Sequence, residues 1–320
     1  MEKQLYIASQ DRAGGILQCA LTENGSLRRI NTYPLDRAAF LCADGETLYA
    51  ILREPFQMQS GVVAFDIRPD GTLGGQRGPE PVHGTISAHI FARDGRIYCA
   101  NYLSGSVTLL PDRIAAYSGS GPHPRQDCSH PHCITATPDG QYICVSDLGT
   151  DSIYVCTEDL EIVSISKTPA GSGPRHLVFS ADGCFAYGSN ELNSTVSVFR
   201  YTEGRLTYLR SCSTLPESFH GENAASAIRL NESSTRLYVS NRGHDSVAEY
   251  AVEGDCLTLL GHRSSCGRSP REIHVVGNWL LCANEDSDNI CVFSLEDGAA
   301  AQPVECFPVK RPWCILPGTR

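Results

Sequence analysis

Short runs of apolar residues alternate with tight turns along the whole chain. In a typical case, residues 195–199 read TVSVF, with polar and apolar positions alternating as in a half-buried β-strand. Asp-Gly pairs occur between such runs, as at residues 139–140 and 182–183, and they favour tight hairpins. No segment keeps the periodicity of a helix. The pattern therefore predicts an all-β protein built from antiparallel hairpins.

The hairpins form a repeated unit. Five segments share an apolar run that ends in Asn or Asp, then a turn and a second run. They are IYCANYLSGSVTLL (97–110), YICVSDLGTDSIYVC (142–156), FAYGSNELNSTVSVF (185–199), LYVSNRGHDSVAEY (237–250) and LLCANEDSDNICVF (280–293). Two weaker copies, at residues 5–19 and 48–65, precede them. Each unit holds four short strands over about 46 residues, which is typical of a β-propeller blade.

We predict that residues 1–320 form a single domain, a seven-bladed β-propeller of four-stranded antiparallel blades. Seven units of this size account for the whole chain. The C-terminal RPWCIL (311–316) has the pattern of the first strand of a blade, and the N-terminal QLYIAS (4–9) that of a second strand. Pairing of the N- and C-terminal strands in one blade would close the ring. The rival architecture, a solenoid, usually has shorter repeats and needs capped ends.

The composition narrows the range of partners. The net charge is −10 and the chain has no Lys/Arg-rich run, so neither nucleic acid nor an anionic membrane is expected as a partner. The N-terminus lacks the pattern of a signal peptide, and no apolar span of membrane length occurs. Nothing in the sequence indicates the oligomeric state.

The cysteine pattern predicts a reduced, cytoplasmic protein. The 15 cysteines are odd in number, form no CxxC pair, and mostly lie in apolar runs where they act as small hydrophobic residues. Cys128 and Cys133 bracket HPH, which raises the possibility of a metal site. Because no second ligand cluster has matching spacing, we expect no metal there.

Hairpin geometry predicts which strand ends meet. With the turn at residues 182–183, Glu191 falls opposite position 174, next to Arg175. The same counting gives two further pairs, His132 with Asp147 and Arg271 with Asn284. The first positions of the innermost strands and the residues after the Asn positions should therefore gather at one mouth of the central channel.

That mouth is the candidate site, because concave openings are the usual places for ligands. The residues expected there are His132, Arg175, Glu191 and Arg242, with Arg271, Glu285, Tyr102 and Asp147 as further substrate contacts. Any one of these charges could instead form a structural ion pair. The Asn positions are interpreted as turn residues. The long connections 111–130 and 210–224 should form walls around the mouth.

Motifs from several blades carry a family resemblance. They are SHPHCI (129–134), GSGPRHLVFSADGCFAYGSNELNSTVSVF (171–199), LYVSNRGHDSVAEY (237–250), GRSPREIHV (267–275) and PWCI (312–315). Together they resemble the lactonase family of seven-bladed propellers, which includes cytoplasmic 6-phosphogluconolactonases and fungal carboxymuconate cyclases. The resemblance covers nearly the whole chain. It implies chemical roles for His132, Arg175, Glu191 and Arg242.

The resemblance implies hydrolysis of a small anionic sugar lactone, with 6-phosphogluconolactone of the pentose phosphate pathway as the first candidate. Glu191 or His132 could act as the base, and Arg175 or Arg242 could stabilise the oxyanion. Another guanidinium could hold a phosphate or carboxylate. This chemistry needs no cofactor and no metal. A carboxymuconate-type lactonising isomerase and a non-catalytic binding scaffold are the alternatives, whereas the absence of GxSxG disfavours a serine hydrolase.

Overall fold

The computed structural model describes residues 2–296 and 302–318. Their strands are, in chain order, β1 (Lys3–Ser9), β2 (Gly15–Leu21), β3 (Leu27–Tyr33), β4 (Ala38–Asp44), β5 (Thr47–Phe56), β6 (Gln59–Ile67), β7 (Leu73–Thr85), β8 (Ser87–Arg93), β9 (Arg96–Asn101), β10 (Ser106–Leu109), β11 (Arg113–Ala116), β12 (Pro131–Ala136), β13 (Ile143–Asp147), β14 (Ser152–Cys156), β15 (Ile162–Lys167), β16 (Pro174–Phe179), β17 (Phe185–Asn190), β18 (Thr195–Thr202), β19 (Arg205–Ser213), β20 (Ala224–Leu230), β21 (Arg236–Arg242), β22 (Ser246–Glu253), β23 (Cys256–Ser264), β24 (Pro270–Val276), β25 (Trp279–Asn284), β26 (Asn289–Ser294), β27 (Glu305–Pro308) and β28 (Pro312–Pro317). A 3₁₀ turn, Glu285–Ser287, follows β25.

Within the described residues these strands form seven four-stranded antiparallel sheets. Six sheets take consecutive strands, from β4–β7 to β24–β27, and the seventh has the order β28-β1-β2-β3. The first strand of each sheet contacts the first strands of its two neighbours, in the closed order β4, β8, β12, β16, β20, β24, β28 and β4. This ring of inner strands defines a seven-bladed β-propeller, as the repeats predict.

Hydrophobic clusters between neighbouring blades hold the ring together. Numbering the blades from the one that contains β1, Tyr98 and Val107 of blade 3 pack with Ile134 and Val145 of blade 4. Similar clusters lie at the other six boundaries of the described ring. Because a middle strand is covered on both faces, all five residues of β13 are buried. The second strands therefore read as apolar runs in the sequence.

The chain termini close the ring, as predicted. β1 pairs with β28, with Leu5 opposite Pro317 and Ile7 opposite Ile315. Ile7 and Ile315 are both buried in a cluster that joins blades 7 and 1. The first blade is thus completed by residues from both ends of the chain.

A β-bulge near the start of every inner strand changes the predicted register by one residue. Pro174 pairs with Asn190 and His176 with Ser189, so Arg175 is the extra residue, and Glu191 does not face position 174. The pairs His132–Asp147 and Arg271–Asn284 are wrong for the same reason. The extra residues are Ala39, Ala88, His132, Arg175, Ser226 with Ala227, Arg271 and Trp313. Hairpin counting assumes that each residue pairs with one residue on the neighbouring strand, whereas a bulge places two residues opposite one.

The cysteines depart from the predicted reduced state at one place. Cys291 and Cys306 face each other on β26 and β27 and form a disulfide. The other 13 cysteines are free, and several, such as Cys99 and Cys282, are fully buried in the core. Along the described ranges, no helix has the length and apolarity of a membrane span.

Ring closure generates a test of stability. We expect Ile315→Ala to lower the free energy of unfolding by about 2–5 kcal/mol, because it empties a buried position between the first and last blades. A chain that ends at Pro308 lacks β28 and should lose stability further. Chemical denaturation measures both effects, and Ile162→Ala is the control because Ile162 is 51% exposed on an outer strand. An unchanged free energy in both altered chains would contradict the closure.

Candidate active site

The bulged residues and the residues after the second strands meet at one mouth of the channel. A cavity of about 310 Å³ lies there. Its lining residues are Arg53, Ala88, Tyr102, Arg125, His132, Glu191, Arg242, Arg271 and Trp313. Ala88, His132, Arg271 and Trp313 come from bulges, which turn an extra side chain toward the cavity.

Glu191 is the centre of the charged cluster. Its carboxylate lies 2.7 Å from Arg125 Nη2, 3.0 Å from Arg175 Nε and 2.8 Å from Arg242 Nη2. Arg125 contacts Oε1, while the other two contact Oε2. Burial acts to raise the pKa of Glu191, but the surrounding guanidinia, Arg242 and Arg175 foremost, hold it well below its ordinary value. Glu191 is therefore ionised.

Several guanidinium N–H groups in this cluster have no aligned acceptor. Arg175 Nε and Arg242 Nη2 lie close to Glu191 but form no hydrogen bond of good geometry, and Arg242 Nε also lacks a partner among the described residues. Burial and then the charge of Arg242 lower the pKa of Arg175 to about 10. Buried donors without acceptors cost free energy, and a ligand that accepts hydrogen bonds would remove this cost.

His132 is buried beside this cluster. Its Nδ1 has no hydrogen-bond partner in the described part of the chain. Burial, and then the charge of Arg175, lowers the pKa of His132 well below its ordinary value, although Glu191 opposes the shift. The ring is therefore neutral at physiological pH. His132 packs edge-on against Tyr102 and His176, with centroid distances of 5.9 and 5.5 Å.

A second charged group lies beside Trp313. The guanidinium of Arg271 sits 3.6 Å from the centre of a Trp313 ring, and that of Arg53 sits 5.1 Å from it. Glu285 is not among the cavity-lining residues, but its carboxylate lies 3.3 Å from Arg271 and 2.6 Å from Arg311. Burial and neighbouring guanidinia lower the pKa of Arg271 to about 9. Glu285 thus pairs with Arg271, a residue that lines the cavity, without lining the cavity itself.

Asp147 does not line the cavity, unlike the sequence expectation. It is fully buried and accepts hydrogen bonds from Ser129 Oγ at 2.6 Å, the His130 amide at 2.7 Å and the Gly149 amide at 2.9 Å. Because of the bulge at His132, Asp147 pairs with Pro131 and not with His132. Its position indicates that it holds the local turn.

Sequence counting did not select Arg53 and Arg125 as site residues. Arg53 belongs to a weakly matching repeat. It follows Leu52, which stands where other repeats have the Asn at the end of the second strand. Arg125 lies in the connection between β11 and β12, which has no equivalent in the repeat. The one signal for it in the sequence was its position as a basic residue in the predicted wall 111–130. Besides Glu191, Arg125 contacts the Tyr102 hydroxyl at 3.2 Å.

The mouth carries an excess of positive charge although the whole chain is acidic. Six guanidinia gather there: those of Arg53, Arg125, Arg242 and Arg271 line the cavity, and those of Arg175 and Arg311 are joined to it through carboxylates. Two carboxylates, Glu191 and Glu285, pair with all six except Arg53. Guanidinia bind carboxylates and phosphates through planar, paired hydrogen bonds. Glu191 could in principle ligate a cation, but its oxygens are already engaged by guanidinia. The arrangement suits a small anionic ligand.

The fold and the sequence both match known proteins. One similar solved structure is that of the periplasmic gluconolactonase PpgL of Pseudomonas aeruginosa, with 27% identity, a TM-score of 0.89 and coverage of 99% of each chain. A candidate 6-phosphogluconolactonase of Bacteroides fragilis shows 28% identity and a TM-score of 0.89 over 99% of this chain and 98% of that one.

An uncharacterized protein of Staphylococcus epidermidis is 34% identical over 309 residues, which cover 89% of this chain and 90% of that protein. The sequence profile of the family described as Lactonase, 7-bladed beta-propeller, matches residues 4–317. The chain therefore belongs to the lactonase family of seven-bladed β-propellers.

Proposed function

We propose that the protein hydrolyses a sugar lactone that carries an anionic group. The observation that supports this most directly is the excess of guanidinia around the 310 Å³ cavity, with N–H groups that lack aligned acceptors. An ester carbonyl and a charged substituent would supply those acceptors. The names of the two structural neighbours, a candidate 6-phosphogluconolactonase and a gluconolactonase, point to the same substrate class.

The first candidate substrate is 6-phosphogluconolactone. Its phosphate would bind near Arg53 and Arg271, because Arg53 Nε is buried without a hydrogen-bond partner among the described residues. Arg53 also has no ion-pair partner at the distances found for the other mouth guanidinia in the described structure. The product, 6-phosphogluconate, would place the reaction in the pentose phosphate pathway.

The lactone carbonyl would lie against Arg242, which lines the cavity, with Arg175 beside it on the same oxygen of Glu191. These guanidinia are held by Glu191 before the substrate arrives, so they need little reorganisation when negative charge develops on the carbonyl oxygen. Loss of one such donor typically costs about 10²–10³ in rate. Glu191 acts here as the residue that positions the two donors.

We assign the base to His132 because Glu191 is engaged by three guanidinia and its pKa is well below normal. The neutral His132 ring would accept a proton from water as the water oxygen attacks the carbonyl carbon. The C–O bond between the carbonyl carbon and the ring oxygen of the lactone then breaks, and this oxygen takes the proton from His132. A bound anion would also raise the pKa of His132, since the charge of Arg175 depresses it.

A cytoplasmic location is part of the proposal. The 13 free cysteines support it, because thiols persist in reducing compartments. The Cys291–Cys306 disulfide counts against it, and one structural neighbour is named as periplasmic. The predominance of buried free thiols favours the cytoplasm.

Comparison of charged and uncharged lactones tests the substrate class. We expect kcat/KM for 6-phosphogluconolactone to exceed that for gluconolactone, and Arg53→Gln to lower it about 10–100-fold for the phosphorylated substrate only, as for loss of a charged hydrogen bond. Arg77→Gln is the control because Arg77 pairs with Asp66 at the surface. Initial rates are corrected for spontaneous hydrolysis. Absence of turnover with these lactones and with muconolactones would contradict the enzymatic function.

Replacement of the proposed base gives a second test. We expect His132→Gln to lower kcat by about 10²–10⁴, the usual contribution of a general base. Its Nδ1 makes no hydrogen bond to the described residues, so the substitution should change the melting temperature little. His83→Gln is the matched control because His83 is exposed and lies outside the cavity lining. A kcat equal to that of the wild type would exclude His132 as the base.

The ionised state of Glu191 can be tested by stability measurements over pH. At pH 7 we expect Glu191→Gln to lose about 3–5 kcal/mol of unfolding free energy, because guanidinia remain buried without their carboxylate. The folded-state pKa of Glu191 lies below its ordinary value of 4.5. The stabilisation is therefore complete above that value and is lost as the pH falls through the folded-state pKa.

The difference between the wild type and Glu191→Gln should accordingly shrink in acid. Denaturant titrations at several pH values measure it, with the exposed Glu232→Gln as the control. A difference that stays constant from neutral pH to strongly acidic pH would contradict the ionised cluster.

A further inference from the structure

Three side chains outside the cavity converge in the segment between β11 and β12. His130 Nε2 lies 3.0 Å from Asp127 Oδ1 and 3.7 Å from Cys128 Sγ, and this sulfur lies 4.0 Å from the same carboxylate oxygen. The His130 side chain is only 6% exposed, whereas that of Asp127 is 77% exposed and Cys128 is exposed. A buried imidazole thus points at two ligand-type atoms that solvent can reach.

The other nitrogen of His130 determines what faces Asp127. His130 Nδ1 lies 2.8 Å from the backbone carbonyl oxygen of Tyr102. A carbonyl only accepts hydrogen bonds, so Nδ1 carries the proton. The second nitrogen, Nε2, is left to face the Asp127 carboxylate oxygen at 3.0 Å. A cation between these two atoms, either a proton or a metal ion, accounts for their separation.

The dimensions of the cluster match a tetrahedral metal ion. Zn–N and Zn–O bonds of about 2.0–2.1 Å and a Zn–S bond of about 2.3 Å give ligand separations of about 3.3–3.6 Å at tetrahedral angles. The observed separations of 3.0, 3.7 and 4.0 Å lie within about 0.5 Å of these values, as in a distorted tetrahedral site. We propose that Asp127, Cys128 and His130 bind a Zn²⁺-type cation, with water in the fourth position.

The hydrogen bond from Nδ1 to a backbone carbonyl is the outer contact that metal-binding histidines commonly make. A cysteine nucleophile activated by histidine and aspartate is a poorer description. In such a triad the carboxylate orients the base through its second nitrogen, whereas Asp127 and Cys128 both face Nε2. The HPHC motif in the sequence raised the possibility of a metal site, although no metal was expected there. Metal binding here departs from that expectation, and the ligands Asp127, Cys128 and His130 are not the set that the motif suggested. Cys133 lines a separate cavity around the inner strands.

A metal ion here would fix one wall of the mouth. The His130 ring stacks on Tyr102, with centroids 4.5 Å apart and planes 12° apart. Arg125, two residues before Asp127, contacts both Tyr102 and Glu191. Coordination would therefore hold the segment that carries Arg125 in place beside the cavity.

Metal binding to the purified full-length protein tests the proposal directly. After chelator treatment and removal of the chelator, we expect one equivalent of Zn²⁺ to bind, as measured by calorimetry and elemental analysis. Co²⁺ should show the absorption of a thiolate complex. Cys128→Ser and Asp127→Asn should each weaken Zn²⁺ binding at least 10-fold, and Cys128→Ser should abolish the thiolate absorption.

Both substitutions are at exposed side chains, so the fold should persist, which circular dichroism checks. Cys184→Ser is the matched control because Cys184 is an exposed free thiol in another blade. The control should bind Zn²⁺ as the wild type does. No binding by the wild type, or equal affinity in Cys128→Ser, would overturn the site and leave a protonated His130 paired with Asp127. These outcomes are independent of lactone turnover.

Discussion

Electrostatic repulsion among the guanidinia at the channel mouth is the constraint on which the site depends. Six of these groups lie together, and the fold tolerates them because Glu191 and Glu285 are buried among them. Glu191 contacts three arginines that come from different parts of the chain, so its carboxylate joins β16, β21 and the segment before β12. The compensation is incomplete, and the remaining positive charge gives the cavity its preference for anions. In this way one interaction serves both stability and binding.

The propeller supplies the geometry that brings these charges together. Seven inner strands end at the same mouth, and a bulge near the start of each one adds an extra residue. The side chains of Ala88, His132, Arg271 and Trp313, which are such residues, line the cavity. A regular strand would alternate its side chains between the two faces of the blade. The bulge breaks this alternation at His132, Arg175 and Arg271, which are residues of the charged mouth. The same blades are joined by apolar clusters, so the polar site rests on a rigid frame.

Most of the repeat-based inference agrees with the structure, and the differences have local causes. The number of blades, the strands in each and the closing pair β1–β28 are as predicted. The repeat also brought His132, Arg175, Glu191 and Arg242 to one mouth. Asp147 does not line the cavity, because its buried carboxylate accepts hydrogen bonds from Ser129, His130 and Gly149. Arg125 was missed because its segment has no equivalent in the other blades. The disulfide was missed because the odd number of cysteines and their apolar surroundings, as at Cys291, were interpreted as buried free thiols.

The sequence by itself determined the architecture, because hydrophobic periodicity and turn residues act over a few positions and repeat in every blade. It also determined which residue types stand at each strand end. Only the tertiary structure decided which charges touch, since Arg125, Arg175 and Arg242 are separated by up to 117 positions and meet at Glu191 through ring closure and bulges. It likewise decided that Glu191 is ionised and His132 neutral, because burial and the charges of distant neighbours set these states.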